Sequence, residues 1–142
     1  MKRILTGIAP LIVGLALIGG CDSTHPFGPE GEYEAIILFT TSGSSAPTNQ
    51  LALGSSLQLN LHADGTTSGH LHFAASGGDP AFDADMAGTW TEDGSTVDIT
   101  QPADTFVRDM VFTIERLGGN ELILTGDQVI DGIRINVTLA RD

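Results

Sequence analysis

Lysine is almost missing from this chain. Its one example is Lys2, and beyond Arg3 the only arginines are Arg108, Arg116, Arg134 and Arg141. Against 18 acidic residues this leaves a formal net charge of −12 at pH 7. Such a chain is repelled by phosphate backbones and by anionic lipid, which excludes nucleic acid as a partner and a flat seat on a membrane. A cationic partner remains open. Cysteine is equally scarce. Cys21 stands alone, so no disulfide forms within one chain, and packing must supply the stability. No segment carries an apolar repeat of 3.6 residues, and without a helix there is no glycine-rich phosphate loop leading into one. No Gly-x-Ser-x-Gly element appears. These gaps point away from an enzyme, and no cofactor is implied.

The longest apolar run is at the start. Met1-Lys2-Arg3 is basic, Ile4 to Ile18 is almost continuously apolar, and Ile18-Gly19-Gly20-Cys21 closes with small residues and the lone cysteine. That order is a secretion signal with its cleavage site. The run falls short of the roughly 20 residues of a spanning helix, and Gly7, Pro10 and Gly14 weaken it as a permanent one. Its end resembles a bacterial lipoprotein lipobox. The resemblance implies cleavage before Cys21, acylation of that cysteine, and a protein held in the cell envelope on the extracytoplasmic (periplasmic) side. Several acyl chains hold firmly where one alone is marginal. Asp22 fits the retention signal of enterobacterial inner-membrane lipoproteins, and inner against outer membrane stays open. Loss of Lys2 and Arg3 with the signal takes the net charge from −12 to −14. The expected organisation is a signal over 1–20, a lipidated cysteine and tether over 21–30, and one domain over 31–142.

Beyond Gly31 the chain alternates with period two. Eight candidate strands follow: 31–41 with Tyr33, Ala35, Ile37 and Phe39 on one face, then 50–63, 67–74, 83–92, 95–101, 105–117, 121–130 and 133–141. Asp93-Gly94 and Asp131-Gly132 read as two-residue type I′ hairpin turns. The first pairs Trp90 with Val97 and Gly88 with Ile99. The second pairs Ile130 with Ile133, Gln128 with Ile135, Gly126 with Val137 and Leu124 with Leu139. A three-residue connection at 64–66 pairs Leu59 with Leu71 and Leu57 with Phe73, and one at 118–120 pairs Ile114 with Leu124 and Phe112 with Gly126. Apolar meets apolar in nearly every pair. Eight sequential antiparallel strands, each with one apolar face, predict an all-β, up-and-down barrel whose closure removes the edges. A β-sandwich is the alternative.

Gly31-Glu32-Tyr33, Gly88-Thr89-Trp90 before the hairpin, and the closing meander are similar to bacterial lipocalin-like lipoproteins. The resemblance covers residues 31–141. It implies a barrel that binds a small apolar or amphipathic ligand. It also implies a contact between the first strand and an arginine near the chain end, here Tyr33 with Arg141. Lipocalins carry tryptophan where this chain has Tyr33, and their C-terminal helix is missing here. Small barrels of this type also resemble bacterial protease inhibitors, so a protein-binding envelope module and a purely structural lipoprotein are the competing functions.

The tight connections fall at one end of such a barrel and the longer loops at the other. Inward positions toward the loop end are Phe39, Phe73, Met86, Phe106, Arg108, Met110, Gln128 and Ile135. Arg108 and Gln128 are the polar members of this otherwise apolar set, the mix a small-molecule site needs. Arg108 is the candidate partner for a ligand carboxylate, or else pairs with Asp83, Asp85 or Asp104. His62, His70 and His72 fall together on one hairpin, facing outward, as weak candidates for Zn²⁺ or Cu²⁺. Three exposed histidines more often form a polar face, so no metal is assigned.

Overall fold

A computed structural model describes residues 28–76, 78–101, 110–118 and 121–142. The strands are β1 (Gly31–Ser42), β2 (Thr48–Asn49), β3 (Ser56–Leu61), β4 (Thr66–Phe73), β5 (Phe82–Asp85), β6 (Gly88–Asp93), β7 (Thr96–Thr100), β8 (Val111–Arg116), β9 (Leu122–Ile130) and β10 (Ile133–Arg141). All pair antiparallel. The order β10-β9-β8-β7-β6-β4-β3-β1 closes on itself through β1 and β10. The protein is therefore a closed eight-stranded up-and-down barrel of the lipocalin-like kind. β2 is an addition to the ring, paired with β1, and β5 pairs with β4. β5 and β6 share one register on β4, His70 opposite Asp85 and Thr67 opposite Gly88, so they are one strand interrupted at Met86 and Ala87.

The two closing hairpins have the registers that their turns require. Ile130 pairs with Ile133, Gln128 with Ile135 and Leu124 with Leu139, around Asp131 and Gly132, which both take the positive φ of a type I′ turn. Ile114 pairs with Leu124 and Phe112 with Gly126. Two other hairpins are displaced by two residues from the expected pairing. Leu57 meets Leu71 and Leu59 meets Gly69, because the loop is 63–65 and not 64–66. The Asp64 carboxylate accepts from the Thr66 amide and hydroxyl at 2.9 and 2.6 Å, and Gly65 takes φ +81°. Likewise Trp90 meets Ile99 and Glu92 meets Val97, because the tight turn is Gly94-Ser95, with Gly94 alone at positive φ. A shift of two keeps every side chain on its face, so the inward set survives.

β1 departs further. Ala35 pairs with Leu139 and Ile37 with Thr138, which leaves Ile36 as an inserted residue. This bulge reverses the side-chain parity. Tyr33 and Ala35 face inward before it, and Leu38 after it. Ile37 is exposed and Phe39 is only half-buried, between Asn49 and Asn136 on the outer wall. The expectation that Ile37 and Phe39 face inward is thereby corrected. The expected second strand is shorter than 50–63: Leu51–Leu53 form a 3₁₀ turn closed by Gly54 at φ +96°.

The core runs through the barrel interior. Tyr33, Leu57, Leu59, Leu61, Val97, Ile99, Phe112, Leu122, Leu124 and Leu139 are buried in it among other apolar side chains. Each fully buried Leu or Phe contributes about 1.5–3 kcal/mol. Tyr33 stands opposite Arg141 in the β1–β10 ladder, as the resemblance implies. Its hydroxyl donates to Pro29 O at 2.6 Å, and Arg141 reaches Gly28 O and Glu30 O at 3.3 and 3.4 Å. The pair thus pins the 28–30 segment to the closing seam.

Candidate functional site

The bulge in β1 also creates the site. With parity reversed, Thr40 turns inward between Thr48 on β2 and Ile135 on β10. Gln50, which begins the 3₁₀ turn, comes to lie beside it. The Gln50 amide donates to Leu38 O at 2.8 Å, and its carbonyl accepts from Leu53 and Ser55 at 3.1 and 3.0 Å. Those bonds fix its backbone. Its side chain is 4% exposed, with Nε2 donating to Thr40 Oγ1 at 2.6 Å. Its Oε1 is buried and has no partner among the described residues.

Gln50 lines a cleft of about 410 Å³ at the loop end. Phe73, Pro80, Ile130, Ile133 and Ile135 make its apolar wall. Thr40, Ser42, Thr48 and Ser76 add hydroxyls, and Asp79 and Asp131 add carboxylates. An apolar wall with a few placed polar groups, at this volume, is the make-up of a small-molecule site. Two other hollows lie along the outer wall. One, of about 230 Å³, runs over Gly69 beside Glu32, Glu34 and Asn60. The other, of about 590 Å³, is shallow and lies beside Phe39, Asp127 and Arg134. Both are lined mainly by outward side chains, so the loop-end cleft is the stronger candidate despite not being the largest.

Of the residues expected at the site, Phe73 and Ile135 line the cleft. Met86 and Met110 are inward but buried in the core, 1% and 0% exposed, and do not line it. Gln128 is half-buried opposite Ile135 and also lies off the lining. Phe39 is on the outer wall, for the reason given by the bulge. Phe106 and Arg108 lie outside the described residues. Gln50 and Thr40 were not expected. Gln50 reads as the first residue of an alternating strand, and the parity of Thr40 depends on the bulge. The one signal for Gln50 was Gly54, whose left-handed backbone ends the turn before β3 can begin.

A second buried amide sits deeper. Gln101 Nε2 donates to Thr67 Oγ1 at 3.0 Å, and Thr67 Oγ1 donates to Met86 O at 2.8 Å. Gln101 Oε1 also lacks a partner among the described residues.

Of the three histidines, His70 and His72 stay together and His62 stands apart. His62 Nε2 lies 2.8 Å from Ser68 Oγ. His70 and His72 stand opposite Asp85 and Asp83 on β5 and opposite Gln58 and Ser56 on β3. Asp83 Oδ1 is 2.8 Å from His72 Nδ1 and 3.1 Å from His70 Nε2. These hydrogen bonds, His72 first, hold the Asp83 carboxyl below the usual carboxylate range. Among the described residues no group of three or more His, Cys, Asp or Glu is disposed to hold a metal ion. Nor is any described helix long and apolar enough to cross a membrane. Neither family models nor curated proteins match this chain.

Proposed function

We propose that this is an extracytoplasmic lipoprotein, anchored by acylated Cys21, whose barrel binds a small amphipathic molecule in the loop-end cleft. The observation that carries the binding reading is the cleft itself: about 410 Å³ at the loop end, walled by Phe73, Pro80, Ile130, Ile133 and Ile135 with hydroxyls from Thr40, Ser42, Thr48 and Ser76. The anchor rests on the order of residues from Met1 to Cys21. β1 starts at the end of the tight turns and residues 28–30 are held to the closing seam, so a tether over 22–27 would join that end, about 20 Å from the membrane when extended. The cleft at the opposite end would then face away from the bilayer.

Native mass spectrometry of the protein taken from its own envelope tests both halves. The expected species begins at Cys21, carries the added mass of acyl chains, and retains a non-covalent small molecule. A chain that still begins at Met1 without acyl mass overturns the anchor. A protein with no adduct, which also takes up no amphiphile when offered one, overturns the binding site.

A further inference from the structure

We propose that the seam between β4 and β5 is an acid-strengthened latch, in which protonated His70 and His72 clasp Asp83 and Asp85 and so hold one wall of the loop-end cleft. The latch needs no ligand in that cleft. β5 is weakly secured: none of its four residues is buried, and among the described residues it pairs with β4 alone. Where a strand buries so little, a few side-chain contacts decide how often it opens. The chain leaves β4 at Phe73 and returns opposite it at Phe82. Between those two it carries Ala74, Ser76, Asp79 and Pro80 of the cleft lining. Opening of β5 would therefore release that wall.

The contacts form a square across the two strands. His70 stands opposite Asp85 and His72 opposite Asp83. Asp83 Oδ1 lies 2.8 Å from His72 Nδ1 and 3.1 Å from His70 Nε2. On the other side of the same ring, His70 Nδ1 lies 3.7 Å from Asp85 Oδ1. Both nitrogens of His70 thus face carboxylate oxygens. A neutral imidazole has one N–H and serves only one of them, turning a lone pair toward the other. An imidazolium donates to both. Turning the ring over would set ring carbons against both carboxylates. The other neighbours bring no competing positive charge. On β3 the partners are Gln58 and Ser56, and beyond Gln58 the ladder continues to Glu34 on β1. β6 brings Gly88 and Thr89 to the far end of β4, where His62 engages Ser68 and Asp64 engages Thr66. Imidazole changes charge between pH 8 and 5, so the latch tightens as pH falls through that range and loosens as it rises. It lasts until Asp83 is itself protonated, which the hydrogen bonds from His72 and then His70 delay to below the usual carboxylate range. Exposed pairs of this kind are individually weak, so the latch governs one strand and not the whole barrel.

Amide–water exchange of the full chain in amphipol, read residue by residue by NMR and corrected for the intrinsic rate at each pH, tests this. From pH 8 to pH 5.5, protection of the β5 amides should rise about fivefold relative to those of the β9–β10 hairpin. Referring it to that hairpin removes any change in overall stability. His70→Gln with His72→Gln leaves neutral donors facing Asp83 and should flatten the rise. Asp85→Asn should leave about half of it, since Asp83 remains. Nitrogen-15 spectra of the rings give a second readout. Above pH 8, His72 should carry its proton on Nδ1 and His70 on Nε2. A flat ratio in the parent protein overturns the latch, and so does a rise that survives in the double glutamine variant. A neutral His72 protonated on Nε2 would overturn it too, because the bond to Asp83 would then be missing.

Discussion

At the scale of single residues, Tyr33 shows how one side chain joins fold and terminus. It is 2% exposed, and its hydroxyl donates to Pro29 O at 2.6 Å. Burial raises its pKa from 10.0 to about 12, outweighing the pull of nearby Arg141 in the other direction. The folded value lies above the unfolded one, so this contribution to stability is complete below pH 10 and is lost as pH climbs from 10 to 12. A shift of that size corresponds to about 2–3 kcal/mol. Tyr33→Phe should cost about 1–2 kcal/mol at neutral pH, since Pro29 O loses its donor. It should also remove the tyrosine part of the alkaline decline. Urea titrations of both proteins across pH 8–12 check this. Parallel declines in the two proteins would show that Tyr33 is not the group responsible.

At the scale of elements, hydrophobic parity was legible and local offsets were not. The inward faces of β3, β4, β7, β8, β9 and β10 follow from alternation alone. Alternation cannot see a shift of two, however, because both registers bury the same residues. The offsets at 63–65 and 94–95 were decided by one carboxylate, Asp64, and by which residue takes positive φ. The bulge was hidden for a different reason. Ile36, Ile37, Leu38 and Phe39 are all apolar, so the run reads equally well in either parity. Since the bulge aims Thr40 at Gln50, the candidate site was hidden with it. Gly69 is an element-scale device of the same kind. It takes φ +133° opposite Leu59, and a Cβ there would lie 2.1 Å from Gln58 O, a backbone atom that cannot step aside. Gly69→Ala should therefore cost about 2–4 kcal/mol, combining backbone strain with displacement of β3. Gly78 also has positive φ, +101°, but nothing lies within 4 Å of its missing Cβ. Gly78→Ala should cost no more than about 1–2 kcal/mol, the backbone term alone. Urea midpoints of the two variants separate close approach from strain, and equal losses would remove the argument for Gly69.

At the scale of the whole molecule, the barrel solves its edge problem but not its charge problem. Closure through β1 and β10 pairs the first strand with the last, so no ring strand is left open. The acidic surface has little to balance it. Asp127 has Arg134, and Asp83 and Asp85 have histidines that carry charge only when protonated. With a net charge of −12 and no lysine beyond Lys2, carboxylates outnumber cationic side chains three to one, 18 to 6. Compacting such a chain costs self-repulsion, which salt screens. The screening length falls from about 30 Å at 0.01 M to about 10 Å at 0.1 M and about 3 Å at 1 M. The melting temperature at pH 7 should therefore rise with NaCl by several degrees, with most of the gain below about 0.2 M, where the length drops past the spacing of surface charges. A general salting-out effect would instead keep growing toward molar salt. Thermal melts from 0.01 to 1 M NaCl distinguish the two. A flat curve would mean that the carboxylates are far enough apart to ignore one another. A falling curve would mean that ion pairs such as Arg134 with Asp127 outweigh the repulsion. The same reasoning gives the direction with pH. Moving from 7 toward the pI of 4.3 relieves repulsion, while the Asp83 contribution is kept until pH falls through its depressed pKa. Stability should thus rise on mild acidification before it falls, and the low-salt melt should show that rise more strongly than the melt in 1 M NaCl.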